Sequence, residues 1–184
     1  MLELKELVGL IADTLKEFDS SKPKFKNFSP GIGPYGEPQL IRELSLLLSK
    51  KGYPSTISRT PDLLFNNEWA IEFKIVRPYG DNGKEAENWS VNLLHPYKGN
   101  ISVIGDALKL LYDYQVDIRK AVFVIGYEHQ EPKISLDPLF DSFELVAKSV
   151  CKLPLSSRVE ERRDNLVHPV HQVIRCVAWE ILKR

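Results

Sequence analysis

The sequence Thr60-Pro-Asp-Leu-Leu-Phe-Asn-Asn-Glu-Trp-Ala-Ile-Glu-Phe-Lys74 decides the fold of this 184-residue chain. It predicts two short strands joined by a tight turn, because Asn tolerates the left-handed backbone that such turns need. In the second strand, the odd positions from Trp69 to Ile75 are all large and apolar. The even positions include Glu72 and Lys74, which point to the opposite face. One face is therefore predicted to be core, and the other carries a carboxylate beside an ammonium group.

The length of the turn sets which residues face each other across this hairpin. A two-residue turn would place a polar side chain opposite an apolar one. A three-residue turn pairs Phe65 with Trp69 and brings apolar side chains together, so the hydrophobic pattern selects it. This register also sets Asp62 directly across from Glu72, with paired Cβ atoms about 4.5–5.5 Å apart.

Two facing carboxylates repel each other unless a cation offsets their charge. Lys74 supplies one positive charge, and hard oxygen ligands with open water positions suit Mg²⁺, with Mn²⁺ as a substitute. Such an ion lowers the pKa of a bound water and neutralises charge on a phosphate. Lys74 can orient the attacking water or stabilise the phosphate in the transition state. We therefore expect a metal site at Asp62 and Glu72; an exposed sheet face with a solvated charge pair is the alternative.

Helical spacing of apolar residues predicts helices at both ends of the chain and in its middle. Two of them open with an acid followed by proline, at Glu37 and Asp137, which suits the first turn of a helix. The predicted helices cover residues 2–18, residues 37–51, a segment from Asn100 or Ser102 to about Tyr114, and two C-terminal helices within residues 137–184, the last starting near Pro169.

Strand signals place the hairpin inside a larger sheet. Residues 53–58 predict a strand before it, and the unbroken apolar run within Lys120–Tyr127 predicts a central strand buried on both faces. The order strand, helix, strand predicts a crossover that joins two parallel strands. Together with the helices, this pattern predicts an α/β fold.

Glu37 is a further candidate for the site. It lies three and four residues before Leu40 and Ile41, so it points with the apolar face of its helix. The acid is therefore either a helix cap or part of an inward-facing site. Gln39 and Glu43 on the same helix are weaker alternatives.

Pro61-Asp62 and Glu72-Phe73-Lys74 resemble the PD and (D/E)xK motifs of the PD-(D/E)xK nuclease superfamily, which has the restriction-endonuclease-like fold. The resemblance covers about residues 35–130. It implies an α-β-β-β-α-β core with a mixed central sheet flanked by helices. The N-terminal helix and the C-terminal helices are additions to that core, and residues 1–184 are expected to form one domain.

The same resemblance implies a function and a role for each site residue. The chain is expected to be a Mg²⁺-dependent endonuclease that hydrolyses phosphodiester bonds, in DNA more than in RNA. Asp62 and Glu72 are the implied metal ligands, with the Phe73 carbonyl as a third. Lys74 is implied to be catalytic, and Glu37 is the further acid that the first core helix of this family often supplies.

Candidate contacts to nucleic acid flank the predicted site. Arg59 and Arg77 lie at the ends of the strands that bound it and are candidate phosphate clamps. His95, Tyr97 and Lys98 precede a helix N-terminus, which is a natural site for anions. A purely structural role is the alternative for each of them.

Composition limits the classes of function. The formal net charge is zero, whereas a protein that coats nucleic acid is usually basic, so any nucleic-acid site is expected to be a local patch. Cys151 and Cys176 lack metal-site spacing and are expected to be free thiols. Without a signal-peptide pattern or a membrane-length apolar run, the chain is expected in the cytoplasm, and one active site per chain favours a homodimer for cutting both strands.

Two more polar pairs are interpreted as structural. Asp106 and Lys109 form an i, i+3 pair of the kind that is common on helix surfaces. His168 and His171 match no firm metal motif, so structural or capping roles are expected. Two other functions stay open for the chain: a catalytically inactive nucleic-acid-binding module of the same fold, and a protein-interaction module that uses the charged face for docking.

Overall fold

The computed structural model describes residues 2–95 and 102–183. Its strands are β1 (Ser55–Ile57), β2 (Leu63–Phe65), β3 (Trp69–Val76), β4 (Arg119–Glu128), β5 (Val159–Arg163) and β6 (Val173–Ile181). Its helices are α1 (Leu4–Ser20), α2 (Glu37–Lys50), α3 (Val91–Leu94), α4 (Val103–Tyr112) and α5 (Asp137–Leu145), and α5 continues as a π-helix over Val146–Val150.

The strands form one six-stranded mixed sheet in the order β1-β2-β3-β4-β6-β5. β1, β2 and β3 make an antiparallel meander, and β3 then pairs with β4 in parallel. The segment between β3 and β4 contains α4, so the predicted crossover is confirmed. β6 lies antiparallel to both β4 and β5. The predicted α/β class and mixed sheet are therefore confirmed.

Apolar side chains bury the sheet on both of its faces. One core cluster joins the inward residues of α1 and α2 to the odd positions of β3, and the other joins α4 and α5 to its even positions. All eight residues of β3 are buried. The strand is therefore central, and any polar side chain on it must find its partners inside the protein.

The register of the hairpin is the predicted one. Phe65 pairs with Trp69 and Leu63 with Ile71, as a three-residue turn requires. Asn66 and Asn67 have φ values of 52° and 53°, which is the left-handed conformation that Asn tolerates. The packing of large apolar pairs therefore fixes the position of every polar residue on the two strands.

The helix predicted from near Pro169 is wrong, because Val173–Ile181 forms β6. Every residue of this strand except Glu180 is buried, since α1 covers one face and α5 the other. An apolar run that is buried on both faces satisfies a helical template as well as a strand template, and sequence periodicity cannot separate them. The segment before it contains β5.

Two further features of the chain are its cysteines and the length of its helices. Cys151 and Cys176 are both free thiols, as predicted. Across residues 2–95 and 102–183, no helix has both the length and the apolar character needed to span a bilayer.

Candidate metal centre

Glu72 and Lys74 are buried beneath α4. Glu72 retains 2% of its surface and Lys74 retains 9%, because their positions on β3 face the helix layer of α4 and α5. These two residues therefore do not form a solvated charge pair on an exposed sheet face. Burying a charge is costly unless it is paired, so the surroundings of this pair decide its chemistry.

Asp62 lies one residue before β2 and bonds to β3 just beyond the last residue that β2 pairs with. Its Oδ2 accepts a hydrogen bond from the Phe73 amide at 2.8 Å. The paired part of β2 ends at Leu63, opposite Ile71, so the predicted pair of Asp62 and Glu72 lies one position beyond it. Asp62 is also close enough to Glu72 for its charge to raise the pKa of that carboxyl.

Glu37 bonds to β3 rather than to its own helix. The N-cap of α2 is Gly36, and the Glu37 carboxylate accepts from the Ile75 amide and from Lys74 Nζ, both at 3.1 Å. It therefore does not act as a side-chain cap of α2. The Phe73 carbonyl accepts from Lys74 Nζ at 2.9 Å, so this oxygen also lies at the site.

Asp106 and Lys109 on α4 complete the site, although the sequence suggested only a surface pair. Lys109 Nζ lies 2.9 Å from Glu72 Oε2 and 3.2 Å from Asp106 Oδ1. Asp106 Oδ2 in turn lies 2.9 Å from Lys74 Nζ. The signal that could have found Asp106 is its position one turn after Val103, on the buried stripe of α4.

These contacts define a group that we call the acid–lysine cluster. With every member ionised, its four carboxylates and two ammonium groups leave a net charge of −2, which one divalent cation would neutralise. The donors that face the β3 edge are oxygen atoms, the ligands that Mg²⁺ and Mn²⁺ prefer. The members are Glu37, Asp62, Glu72, Asp106, Lys74 and Lys109.

The surroundings of Glu72 disfavour its ionised form. Burial and then the charge of Asp62 raise its pKa to about 8, although Lys109 opposes the shift. Its Oε1 is buried and accepts no hydrogen bond within the described part of the chain. Without a further cation, Glu72 therefore holds a proton at neutral pH, and a cation at Oε1 would release it.

Lys74 keeps its proton. Burial by itself lowers its pKa, but the charges of Glu37 and Asp106 outweigh burial, so the net shift is upward. Burial also raises the pKa of Glu37, against the opposing effect of Lys74. Lys74 is therefore a fixed positive charge rather than a base.

A small cavity gives access to the edge of the cluster. Its volume is about 110 Å³, and its walls include Glu37, Ser58 and Asp62. The loop that supplies Ser58 also carries Arg59, which is exposed. This predicted phosphate clamp is therefore accessible to solvent and directly follows a residue that lines the cavity.

The other predicted nucleic-acid contacts are placed differently. Arg77 donates to the Tyr35 carbonyl and lies over the Tyr127 ring, 5.6 Å from its centroid, so its guanidinium is engaged inside the protein. The His95 carbonyl accepts from Ser102, whose side chain caps α4. Tyr97 and Lys98 lie outside the described residues.

No protein-family model, curated protein or solved structure matches this chain. The chemistry that the cluster can perform therefore has to be inferred from its geometry and charge.

Proposed function

We propose that this chain is a Mg²⁺-dependent nuclease that hydrolyses phosphodiester bonds, most readily in DNA. The observation that carries the proposal is the buried Glu72 Oε1, which has no hydrogen-bond donor in the described chain and belongs to a cluster that would carry a surplus of two negative charges with every member ionised. A site of this kind is suited to one hard divalent cation.

The order of elements supports the same proposal. Apart from the short helix α3, the order α2, β1, β2, β3, α4 and β4, with a hairpin followed by a parallel crossover, is the order that the restriction-endonuclease-like resemblance implies. The proximity of Asp62 to Phe73 and Glu72 at the end of the hairpin also supports the proposal. We therefore extend the proposal to an endonuclease of this fold, of the restriction, repair or mobile-element type.

Each side chain has a separate role in the proposed reaction. Asp62 and Glu72 would hold the cation, with the Phe73 carbonyl and Glu37 as further oxygen ligands. When bound, Mg²⁺ supplies an acidic water and neutralises charge on the scissile phosphate. Lys74 remains protonated and lies among these oxygens, so it would stabilise the negative charge that develops on the phosphate.

Asp106 and Lys109 would position this apparatus. Asp106 bridges the two lysines, and Lys109 offsets part of the charge of Glu72. In the absence of Mg²⁺ these ammonium groups, together with the proton on Glu72, limit the repulsion between the carboxylates. They thus keep the site assembled for an incoming cation.

The expected partner is duplex DNA bound by a homodimer. One site per chain cuts one strand, so cleavage of both strands asks for two chains. Because the chain carries no net charge, DNA would be bound through local groups such as Arg59 rather than through a basic surface.

A plasmid-nicking assay with purified protein and Mg²⁺ or Mn²⁺ tests the proposal. We expect wild-type protein to cleave, and we expect Lys74→Ala to cleave about 10²-fold more slowly or worse, because it removes a charge at the reacting phosphate. Lys5→Ala, on the exposed face of α1, is the matched control and should cleave normally.

Two results would exclude this function. One is cleavage that survives Lys74→Ala in protein whose circular dichroism is unchanged. The other is no cleavage by wild-type protein with either metal. Binding of DNA without cleavage would then favour the inactive nucleic-acid-binding module.

A further inference from the structure

A second polar cluster lies where the hairpin that follows β3 meets the segment before β6. The hairpin closes on itself through the bridge between Tyr79 and Glu85 and through the bond from the Gly80 amide to the Lys84 carbonyl at 2.8 Å. It carries Asp81 at its tip. This stretch therefore holds one acid in a defined position.

His168 and His171 face this acid from the other segment. Each retains 1% of its surface, and their rings stack with centroids 4.7 Å apart. One potential ligand atom from each of Asp81, His168 and His171 lies within 4.8 Å of the others. We call these three residues the His–Asp cluster.

The cluster has three buried polar atoms without hydrogen-bond partners among the described residues. They are Asp81 Oδ1, His168 Nε2 and His171 Nδ1. Buried polar atoms are nearly always hydrogen-bonded, so three such atoms on neighbouring side chains would be stabilised by an ion or a water molecule.

The hydrogen bond at the other ring nitrogen of His171 shows what it can bind. His171 Nε2 lies 2.9 Å from the Tyr79 carbonyl; a carbonyl can only accept, so Nε2 carries the proton. The lone pair on Nδ1 then faces Asp81 Oδ1 across 3.6 Å. A histidine that donates one ring N–H to a backbone carbonyl while the other nitrogen faces a carboxylate has the arrangement of a metal ligand.

The donor set and its dimensions fit a zinc-class ion. Two imidazole nitrogens and one carboxylate form a common Zn²⁺ site, with ligand bonds of about 2.0–2.2 Å and a fourth position open to water. On a tetrahedral ion two such ligands stand about 3.3 Å apart, close to the 3.6 Å between Asp81 and His171. The nitrogen donors separate this site from the oxygen-rich acid–lysine cluster.

We propose that Asp81, His168 and His171 bind one Zn²⁺-class divalent cation that fastens the hairpin after β3 to the segment before β6. The site does not depend on the nuclease proposal, because it shares no residue with the acid–lysine cluster.

Binding through His168 requires a proton to change place. His168 Nδ1 accepts from the Val170 and His171 amides at 3.2 Å each, so the neutral ring carries its proton on Nε2. On coordination, Nε2 gives up that proton and Nδ1 takes one up, so the ring stays neutral and these two long hydrogen bonds are lost. The alternative occupant is a water molecule that accepts from Nε2 and donates to Asp81 and His171.

The position of the ion would tie together three segments around the candidate metal centre. Gly31 and Gly33 lie in the turn before Glu37, and they pack against the histidines: a Cβ on Gly33 would lie 2.3 Å from His171 Nδ1. The hairpin that carries Asp81 follows β3, the strand that carries Lys74. A bound ion would therefore order the backbone on both sides of the acid–lysine cluster.

Titration of chelator-stripped full-length protein with Zn²⁺ alone tests the proposal, by calorimetry and by the visible spectrum of a Co²⁺ substitute. We expect the tightest-binding ion, one per chain, to be bound equally by wild type and by Glu72→Gln, which alters only the other cluster. His129→Gln is the matched histidine control and should also bind. Asp81→Asn and His171→Gln should weaken binding by about 10²-fold or more.

Asp81 is the variant of choice because its side chain is a quarter exposed, so Asp81→Asn is expected to fold even where His171→Gln does not. Ring-nitrogen NMR of His168 gives a second readout, since coordination moves its proton from Nε2 to Nδ1. Wild-type protein without saturable Zn²⁺ binding, or Asp81→Asn with wild-type affinity, would mean that the cluster holds a buried water only. Either result would overturn the proposal whatever the nicking assay shows.

Discussion

The two buried polar clusters of this chain differ: one lacks positive charge to balance its carboxylates, and the other lacks hydrogen-bond partners for its polar atoms. In the acid–lysine cluster, Glu72 and Lys74 face α4, and two lysines pair with three of the four carboxylates, so two negative charges would be left over with every member ionised. In the His–Asp cluster, His171 packs on Tyr127 of the opposite layer, and the deficit is one of hydrogen bonds rather than charge.

This difference separates the cations that each cluster is suited to bind. Surplus carboxylate charge attracts a hard cation such as Mg²⁺, which keeps several of its waters. Unpaired imidazole nitrogens favour a softer ion such as Zn²⁺. A variant in one cluster should therefore alter the binding of one ion and leave the binding of the other unchanged.

The largest effect is expected from Glu72→Gln on cleavage. Loss of this ligand charge should reduce Mg²⁺-dependent nicking by about 10²- to 10³-fold, while the binding of Zn²⁺ stays at the wild-type level. Glu131→Gln, at an exposed position, is the control and should cleave normally. If Glu72→Gln also abolishes Zn²⁺ binding, the two clusters do not bind their ions independently.

Metal-free stability should depend on pH through Glu72. Its pKa rises from 4.5 to about 8 in the folded chain, so between these values the folded state holds a proton that the unfolded state has lost. Stability therefore falls as pH rises from about 4.5 to about 8. In Glu72→Gln this slope should disappear, leaving the variant more stable than wild type at pH 8 by on the order of 3 kcal/mol.

Urea unfolding in the presence of a chelator, at pH 5 and at pH 8, measures this difference. Parallel pH dependence in wild type and Glu72→Gln would show that Glu72 titrates near its ordinary pKa. The ionised form of Glu72 would then not be disfavoured in the folded chain, and this difference between the two clusters would disappear.

The smallest effect concerns the packing of the His–Asp cluster. A Cβ on Gly33 would press on the His171 ring at 2.3–2.7 Å, so Gly33→Ala should destabilise the protein by about 1–3 kcal/mol. Gly9→Ala is the matched control, because no atom lies within 4 Å of a Cβ there. In the helix interior of α1 it should stabilise by about 0.5–1 kcal/mol. Thermal unfolding of the two variants in the same buffer compares them.

The hairpin register could be predicted from the sequence because local packing determines it. Large apolar pairs such as Phe65 with Trp69 are satisfied by one turn length only, and that length places Asp62 beside Glu72. The buried run of β4 was found for a similar reason, since it lacks any polar interruption.

The rest of the site depends on contacts between distant segments. Asp106 and Lys109 match a surface ion pair in sequence, and only the packing of α4 over β3 turns them inward. β6 matched a helix because both of its faces are buried. His168 and His171 acquire a partner only when the hairpin brings Asp81 to them, which no local pattern reveals.

Calorimetric titration of metal-free protein with Mn²⁺ at pH 7, in two buffers of different ionisation heat, tests most directly whether the acid–lysine cluster holds a cation. An ion at Glu72 must displace the proton that its raised pKa retains. We predict one ion per chain with release of close to one proton, and weaker binding without proton release in Glu72→Gln. Mn²⁺ that fails to bind, or that binds Glu72→Gln and wild type equally with no proton released, would contradict the metal centre.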